Sequence, residues 1–252
     1  MAGQTETAVY VYGIVPTDVE TEPEARGVAD APVTTVRGDR IAALVSEIPR
    51  DQALGTPEDL TAHAALLDGA AAEAPVLPLR FGAVVTTRDA VKEELLTEHQ
   101  DDFAAALHEL EGKAEYVVKA RYVEQAVLRE ILGENEELAR LRESIRGKPE
   151  DATRNERMTL GEQINNAIAA KREADTRRAA DVLAALDVQI APREPTHERD
   201  AVHLACLAAT AEQADLEAAV GKLAQEWEGR AEVRLLGPLA AYDFVVTKQP
   251  EG

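Results

Sequence analysis

Besides its many carboxylates, this sequence has few side chains that are typical of catalytic or metal sites: five histidines, the single cysteine Cys206, and the serines Ser46 and Ser144. His99 and His108 lie on one predicted helix at a spacing that turns their side chains about 180° from each other, so they cannot share a metal ion. Neither serine lies at the strand-to-helix turn that a nucleophilic serine uses. Cys206 lies in an apolar stretch without the positive surroundings that stabilise a thiolate, and we expect it to be a small core residue.

The remaining signals for catalysis are also missing from the sequence. We expect His63, in an Ala- and Leu-rich helix, and His203, in a strand, to be structural histidines. The sequence has no phosphate-cradling glycine loop, no dinucleotide-binding glycine motif and no H-E-x-x-H zinc motif. A single cysteine excludes an intramolecular disulfide framework and a cysteine-rich zinc site. We therefore expect no catalytic residue, no cofactor and no metal site, and a protein that is not an enzyme.

The charge balance narrows the range of partners. Asp and Glu number 47 and Lys and Arg 27 in 252 residues, which gives a formal net charge of -20. Because affinity for nucleic acid comes mainly from cationic side chains that neutralise phosphates, we expect neither nucleic acid nor an anionic membrane surface as a partner. The N-terminal stretch lacks a basic, then apolar, signal pattern, and no stretch is apolar enough to span a bilayer. These features favour a cytoplasmic protein.

The first half of the chain is predicted to contain both strands and helices. β-branched and aromatic residues predict strands over 8–15, 33–36 and 40–48, the last two joined by a turn at Gly38 and Asp39. Thr56 followed by Pro57 predicts a helix start, and that helix should run to about residue 72. Apolar residues near a 3.6 period then predict one helix from about residue 89 to the stop at Gly112.

After Gly112 the pattern predicts a strand over 114–122 and then two long helices, about 124–186, joined at 147–149. Strands over 188–191 and 201–209, a helix over 211–227 and a strand pair over 231–236 and 242–247 complete the chain. This is the split βαβ order of a ferredoxin-like sandwich. We therefore predict an α+β protein of two domains: an N-terminal α+β domain, 1–112, and a ferredoxin-like domain, 113–252, with an inserted coiled-coil-like helical hairpin.

The stretch APVLPLRFGAVV, residues 74–85, is the least polar run of the chain and carries an arginine at its centre. As one continuous strand, its alternation places Leu77, Leu79, Phe81 and Val85 on one face. Arg80 lies on the other face, with Pro78 and Gly82 beside it. Pro78 cannot donate to a strand ladder, which favours an edge position. Two interpretations of Arg80 stay open: a lock on a carboxylate of its own chain, which we favour, or a contact with another protein at this edge.

Four stretches in order, YVYGIV, VLPLRFGAVV, KAEYVVKA and GPLAAYDFVV, resemble the gas vesicle protein GvpL/GvpF family from Val9 to Val246. LPLRFG is the most distinctive of them. The C-terminal match holds at Gly237, Pro238, Tyr242 and Phe244. It departs where Leu239-Ala240-Ala241 replaces the family's Trp-Pro-Pro-like run.

The resemblance implies a two-domain α+β fold with a modified ferredoxin-like C-terminal part, and an accessory or minor structural protein of gas vesicles. The implied partners are the gas vesicle shell protein and other accessory proteins, and self-association is left open. It stays open whether the chain is an L-like or an F-like paralogue, and whether it is a wall component or a transient assembly factor. The alternatives are a small-molecule-binding regulatory module of ferredoxin-like type and a hydrolase with an unrecognised site. Our candidate protein-contact residues are Pro78, Leu79, Arg80, Phe81, Gly82, Tyr242 and Phe244.

Overall fold

The computed structural model describes residues 6–245 and contains helices and two antiparallel sheets. The chain forms two compact units. Within the described residues, the first unit takes in residues 6–116, the short piece Leu207–Ala211, and residues 237–245. The second unit consists of Val117–Cys206 and Glu212–Leu236. The chain thus leaves the first unit and returns to it twice.

The first unit is built around a sheet of five short strands. These strands are β1 (Thr7–Pro16), β2 (Val33–Arg37), β3 (Ile41–Pro49), β4 (Leu77–Pro78) and β5 (Val84–Val85). Their order is β2-β3-β1-β4, with β5 also pairing with β1, and all pairs are antiparallel. The predicted strands over 8–15, 33–36 and 40–48 are confirmed. Gly13 follows a register shift in β1, where an added Cβ would lie 2.7 Å from the Leu77 carbonyl oxygen, closer than real Cβ atoms approach.

The first helix, α1 (Pro57–Glu73), begins at the predicted residue. The Thr56 side chain accepts a hydrogen bond from the Asp59 N–H, and the Asp59 carboxylate accepts one from the Thr56 N–H. Pro57 occupies the first helical position, where its missing N–H costs no hydrogen bond. This reciprocal capping fixes the start of α1, and the buried residues Asp59, His63, Leu67 and Ala71 then repeat at four-residue spacing.

The prediction of a single helix from about residue 89 to Gly112 is wrong in one respect. The chain forms α2 (Arg88–Ala90), then a π-helical segment (Val91–Thr97), and a separate α3 (Gln100–Glu109). A π-helix has a wider turn than an α-helix. The wider turn accompanies the burial of the neighbouring residues Leu95 and Leu96 together with Val91. A strictly 3.6-residue repeat did not reveal this irregularity.

Two hydrophobic cores flank β1, because successive side chains of a strand point to opposite faces. Val9 and Val11 belong to the core that α3 joins through Phe103 and Leu107; we call it the α3-side core. The alternating residues Tyr10 and Tyr12 belong to a second core, which α1 joins through Leu67 and Ala71; we call it the α1-side core. The central strand of the first sheet is therefore buried on both faces.

The second sheet consists of β6 (Lys113–Tyr122), β7 (Gln189–Pro192), β8 (Asp200–Ala209) and β9 (Ala231–Leu239), in the order β7-β8-β6-β9. Helix α7 (Gln213–Glu226) lies between β8 and β9 in the chain. The strand predicted over 242–247 is wrong where it can be compared, because Tyr242–Phe244 form a turn. Residues 246 and 247 lie outside the described residues.

The helical arm of the second unit contains three helices, α4 (Glu124–Glu134), α5 (Glu136–Ile145) and α6 (Arg154–Ala184). Both α4 and α5 pack on α6. The predicted continuous helix before residue 147 breaks at Asn135, whose side chain accepts a hydrogen bond from the Leu138 N–H and so starts a new helix. An apolar seam at three- and four-residue spacing continues across the break, with these residues buried: Val127, Ile131, Leu138 and Ile145.

A charged cluster ties α4, α6 and the start of β9 together within the second unit. The Arg230 guanidinium donates to Glu130 Oε2 at 2.8 Å and to Asp175 Oδ2 at 2.8 Å. Lys171 Nζ also donates to Glu130 Oε1 at 2.6 Å, and Tyr122 Oη donates to Asp175. These carboxylates therefore bridge residues that are far apart in the sequence. Such charge-assisted bonds are stronger than neutral ones and fix the geometry of the groups they join.

Candidate protein-contact site

The stretch around Arg80 forms a broken edge of the first sheet and not the continuous strand predicted. The Leu79 N–H donates to the Tyr12 carbonyl at 2.9 Å, and the Val11 N–H donates to the Ala83 carbonyl at 2.9 Å. Between these two bonds the chain bends, and Gly82 has a φ of 90°, a conformation that side-chain-bearing residues rarely adopt. A substitution of Gly82 by any L-residue would be strained at this bend.

The bend also changes which side chains share a face. Leu77 and Leu79 are buried in the α3-side core, and Ala83 packs against the same core. Phe81, predicted on the face of Leu77 and Leu79, instead packs against the α1-side core, so this prediction is wrong. The alternation of a continuous strand does not survive the turn at Gly82. Phe81 is thus half-buried on the opposite side of the sheet from Leu79.

His63 of α1 holds this bend from the α1 side. Its Nδ1 lies 2.9 Å from Tyr10 Oη, and its Nε2 lies 3.2 Å from the Leu79 carbonyl oxygen and 3.0 Å from Tyr242 Oη. The Gly82 N–H donates to the same Tyr10 hydroxyl at 3.1 Å. One buried imidazole therefore brings together three of the candidate residues, Leu79, Gly82 and Tyr242.

The partners of His63 define its protonation state. The Leu79 carbonyl can only accept, so His63 Nε2 carries the proton and Nδ1 accepts from the Tyr10 hydroxyl. Burial holds the pKa of His63 below its ordinary value of 6.5, and the bond to Leu79 opposes that shift more weakly. Burial also raises the pKa of Tyr10 to about 12, and it raises the pKa of Tyr242. All three groups are therefore neutral near pH 7.

Aromatic rings surround the imidazole. The Phe81 ring lies edge-on to the His63 ring with centroids 5.5 Å apart, and edge-on to the Tyr10 ring at 5.8 Å. The Tyr12 ring lies 5.7 Å from His63 and 4.8 Å from Tyr10. Such arrangements are favourable for aromatic rings, because the ring edge is positive and the face negative. The rings make a packed support behind the bend.

Tyr12 extends this support to the loop before β2. The Val28 N–H donates to Tyr12 Oη at 2.8 Å. Ser46 Oγ donates to the Pro32 carbonyl at 3.0 Å, so the Tyr12 hydroxyl donates to Ser46 Oγ at 2.9 Å. Gly27 is required beside this hydroxyl, since an added Cβ would lie 1.9 Å from it. Ser46 is therefore part of a buried chain of structural hydrogen bonds.

The segment after β9 packs within the first unit and completes the site. The Ala240 N–H donates to Asp68 Oδ1 of α1 at 3.0 Å, and the Asp243 N–H donates to Glu115 Oε2 at 3.0 Å. Ala240, at a position where the sequence departs from the family pattern, is fully buried. The candidate residue Phe244 is half-buried and packs against the α3-side core.

Arg80 has an exposed side chain. Among residues 6–245, its guanidinium makes no hydrogen bond and no ion pair. The interpretation that Arg80 locks onto a carboxylate of this part of its own chain is therefore wrong; the bend points the side chain to solvent. Two apolar side chains of the site are also exposed, Val84 at 43% and Tyr242 at 38%. Pro78 and Leu79, by contrast, are buried.

The other residues considered for chemistry do not assemble into a site. Cys206 is buried, and His108 contacts Glu111 on the surface. Within residues 6–245, no group of three or more His, Cys, Asp or Glu side chains could hold a metal ion. No helix in this part of the chain is long and apolar enough to cross a bilayer.

The sequence did not reveal the role of His63 or its two tyrosine partners. Tyr10 lies 53 positions and Tyr242 179 positions from His63 in the chain, so no local spacing relates them. The one available signal was the four-residue repeat that places His63 on the buried face of α1 with Leu67. A histidine on a buried face needs polar partners, and a tyrosine hydroxyl can serve either as donor or as acceptor.

Comparison with known proteins identifies the group to which the chain is related. The family model described as gas vesicle synthesis protein GvpL/GvpF matches residues 8–246. The chain belongs to the GvpL/GvpF family. Gas vesicle protein F of Streptomyces sp. (strain CB03234) is 32% identical over 243 residues, which cover 94% of this chain and 99% of that protein. Gas vesicle protein F of Dolichospermum flosaquae is 24% identical, with 94% and 96% covered.

Solved structures of GvpL/GvpF family members share the fold. The crystal structure of GvpF from Anabaena sp. PCC7120 aligns with a TM-score of 0.74 at 24% identity, covering 94% of this chain and 98% of that chain. GvpF from Microcystis aeruginosa aligns with a TM-score of 0.73 at 22% identity and the same coverage. The predicted resemblance is confirmed, and the chain is a gas vesicle-related protein.

Proposed function

We propose that the protein acts in gas vesicle assembly as a non-enzymatic accessory or minor structural protein. It works in the cytoplasm, at the gas vesicle, through contacts with the shell protein and other accessory proteins. Membership of the GvpL/GvpF family supports the gas vesicle setting. His63, Tyr10 and Ser46 use their polar atoms in hydrogen bonds within the protein, which supports a role in binding over a role in catalysis.

The observation that carries the proposed contact is the exposed Arg80 on a rigid bend. Arg80 has no carboxylate partner among the described residues, so its guanidinium is available to an acidic group of another protein. Arginine is enriched in protein interfaces, where its planar group pairs with carboxylates and stacks on aromatic rings. The His63 cluster behind the bend lowers the entropy lost on binding, because the backbone that presents Arg80 is already fixed.

The contact involves side chains more than an added strand. β4 and β5 contain two residues each, and the bend at Gly82 separates them. A short and interrupted edge is how proteins prevent strand addition. The site also exposes two apolar side chains, Val84 and Tyr242, which add apolar area to its surface.

The fold details are part of the same proposal. The order β7-β8-β6-β9, read with the chain order of strands and helices, supports a ferredoxin-like domain whose first crossover is enlarged into the helical arm. We propose domains of 1–112 and 113–252. The four relatives that match well are named gas vesicle protein F, which supports an F-like rather than an L-like paralogue.

Gene deletion and complementation test the proposed function. Cells that lack the gene should form no normal vesicles, as seen by electron microscopy, and wild-type protein should restore them. The Arg80→Glu variant should restore them poorly. The matched control is Arg26→Glu, since Arg26 is an exposed arginine in the loop before β2. Normal vesicles in the deletion strain would contradict the assembly role, and full complementation by Arg80→Glu would contradict the contact.

A further inference from the structure

The helical arm carries an apolar groove that its own side chains leave open. The groove has a volume of about 400 Å³ and lies between α4, α5 and α6. Its apolar walls are half-buried side chains, paired at four-residue spacing on each of two helices: Leu128 and Leu132 on α4, and Leu160 and Ile164 on α6. Residues four apart on a helix lie on one face, so each pair forms a continuous ridge.

Two arginines, Arg129 of α4 and Arg142 of α5, line the same groove. Both are exposed, and neither makes a hydrogen bond or ion pair within residues 6–245. The other arginine of α5, Arg140, pairs with Glu136 one turn earlier. No acidic residue lies three or four positions from Arg129 or Arg142, so their own helices offer them no partner.

We propose that this groove binds an acidic amphipathic helix of another protein. The apolar face of that helix fills the space between the two ridges, and its carboxylates pair with Arg129 and Arg142. Laying the apolar face of a helix into such a groove is an established mode of recognition. The charge pattern selects the partner, because the lining includes two cations and no carboxylate.

A second copy of this chain fits the groove less well. In a symmetric dimer formed through this face, the same patch meets itself and brings the unpaired arginines of both copies together. The occupant is therefore a different protein, and the surface is separate in sequence from the Arg80 bend.

A pair of synthetic helical peptides tests the proposal on the full-length protein. Each peptide has about 18 residues, enough for a stable helix, with leucines at three- and four-residue spacing. One carries glutamates beside the leucines, and the other carries lysines at the same positions. By fluorescence anisotropy the glutamate peptide should bind at least about tenfold tighter than the lysine peptide. The double variant Arg129→Glu/Arg142→Glu should reverse this order.

The control is Arg154→Glu, an exposed arginine at the start of α6 that does not line the groove. It should leave both affinities unchanged. Circular dichroism melting of each variant should match wild type, since the changed side chains are exposed. Equal affinity of the wild-type protein for the two peptides would overturn the proposal. A preference for the glutamate peptide that persists in the Arg129→Glu/Arg142→Glu variant would overturn it as well. Dimerisation that the double variant abolishes, measured by sedimentation velocity, would overturn the choice of occupant.

Discussion

The buried imidazole of His63 makes the stability of the protein depend on pH in a defined direction. Burial holds the pKa of His63 below 6.5 in the folded state, whereas in the unfolded chain the ring is solvated and titrates near 6.5. Below pH 6.5 the unfolded state therefore binds a proton that the folded state does not. The contribution of the neutral His63 to the free energy of unfolding is complete above that pH. It is lost as the pH falls from 6.5 toward the lower pKa of the folded state.

The size of this loss follows from proton linkage. A proton that only the unfolded state binds lowers the free energy of unfolding by about 1.4 kcal/mol for each unit by which the pH falls. Between about pH 7.5 and about pH 5.5, His63 therefore accounts for a loss of at most about 1.4 kcal/mol. Among the described residues no carboxylate bonds to the ring, whose partners are Tyr10, Leu79 and Tyr242, so no anionic group there compensates for a charge on His63.

Urea unfolding at these two pH values, on wild type and His63→Gln, measures the effect. Glutamine removes the titrating group, and the subtraction cancels the other histidines because both proteins contain them. We expect His63→Gln to be less stable than wild type at about pH 7.5. The difference between their free energies of unfolding should narrow by up to about 1.4 kcal/mol at about pH 5.5. A constant gap between the two proteins, or a gap that widens in acid, would refute the neutral, buried imidazole.

Two further predictions concern hydrogen bonds in each unit. Tyr12→Phe removes the acceptor of the buried Val28 N–H and the donor to Ser46, and should lower the free energy of unfolding by about 1–3 kcal/mol in urea titration. A change below about 0.5 kcal/mol would show that the chain of bonds adds little. Glu130→Gln removes the charge that Arg230 contacts through two nitrogens, and should cost about 2 kcal/mol by the same measurement. A variant as stable as wild type would contradict a stabilising role for the cluster.

Much of the fold was predictable because its signals are local. The reciprocal cap at Thr56 fixed the start of α1, and the β-branched run around Tyr10 fixed β1. The break at Asn135 had a signal as well, since Asn before two glutamates is a typical helix start. The apolar seam continued across that break and concealed it. The π-helical turn after Val91 left no such signal.

The candidate site was only partly predictable, because it depends on contacts between distant parts of the chain. The alternation of a strand correctly predicted that Leu79 is buried and that Arg80 lies outside the core. It predicted the wrong face for Phe81, which lies at the bend. The φ of Gly82 is a backbone property that glycine permits but does not require. The contact of His63 with Tyr242 depends on where the chain returns after β9, which no local pattern specifies.

The binding of the gas vesicle shell protein to this chain, with and without the Arg80→Glu change, tests the central proposal most directly. Surface plasmon resonance on the purified proteins, with Arg26→Glu as the control, gives the dissociation constants. We expect Arg80→Glu to weaken binding at least about tenfold, or about 1.4 kcal/mol, while Arg26→Glu and the melting temperatures stay at the wild-type values. Equal affinity of the folded Arg80→Glu variant and wild type would contradict the proposal that this bend is the contact site.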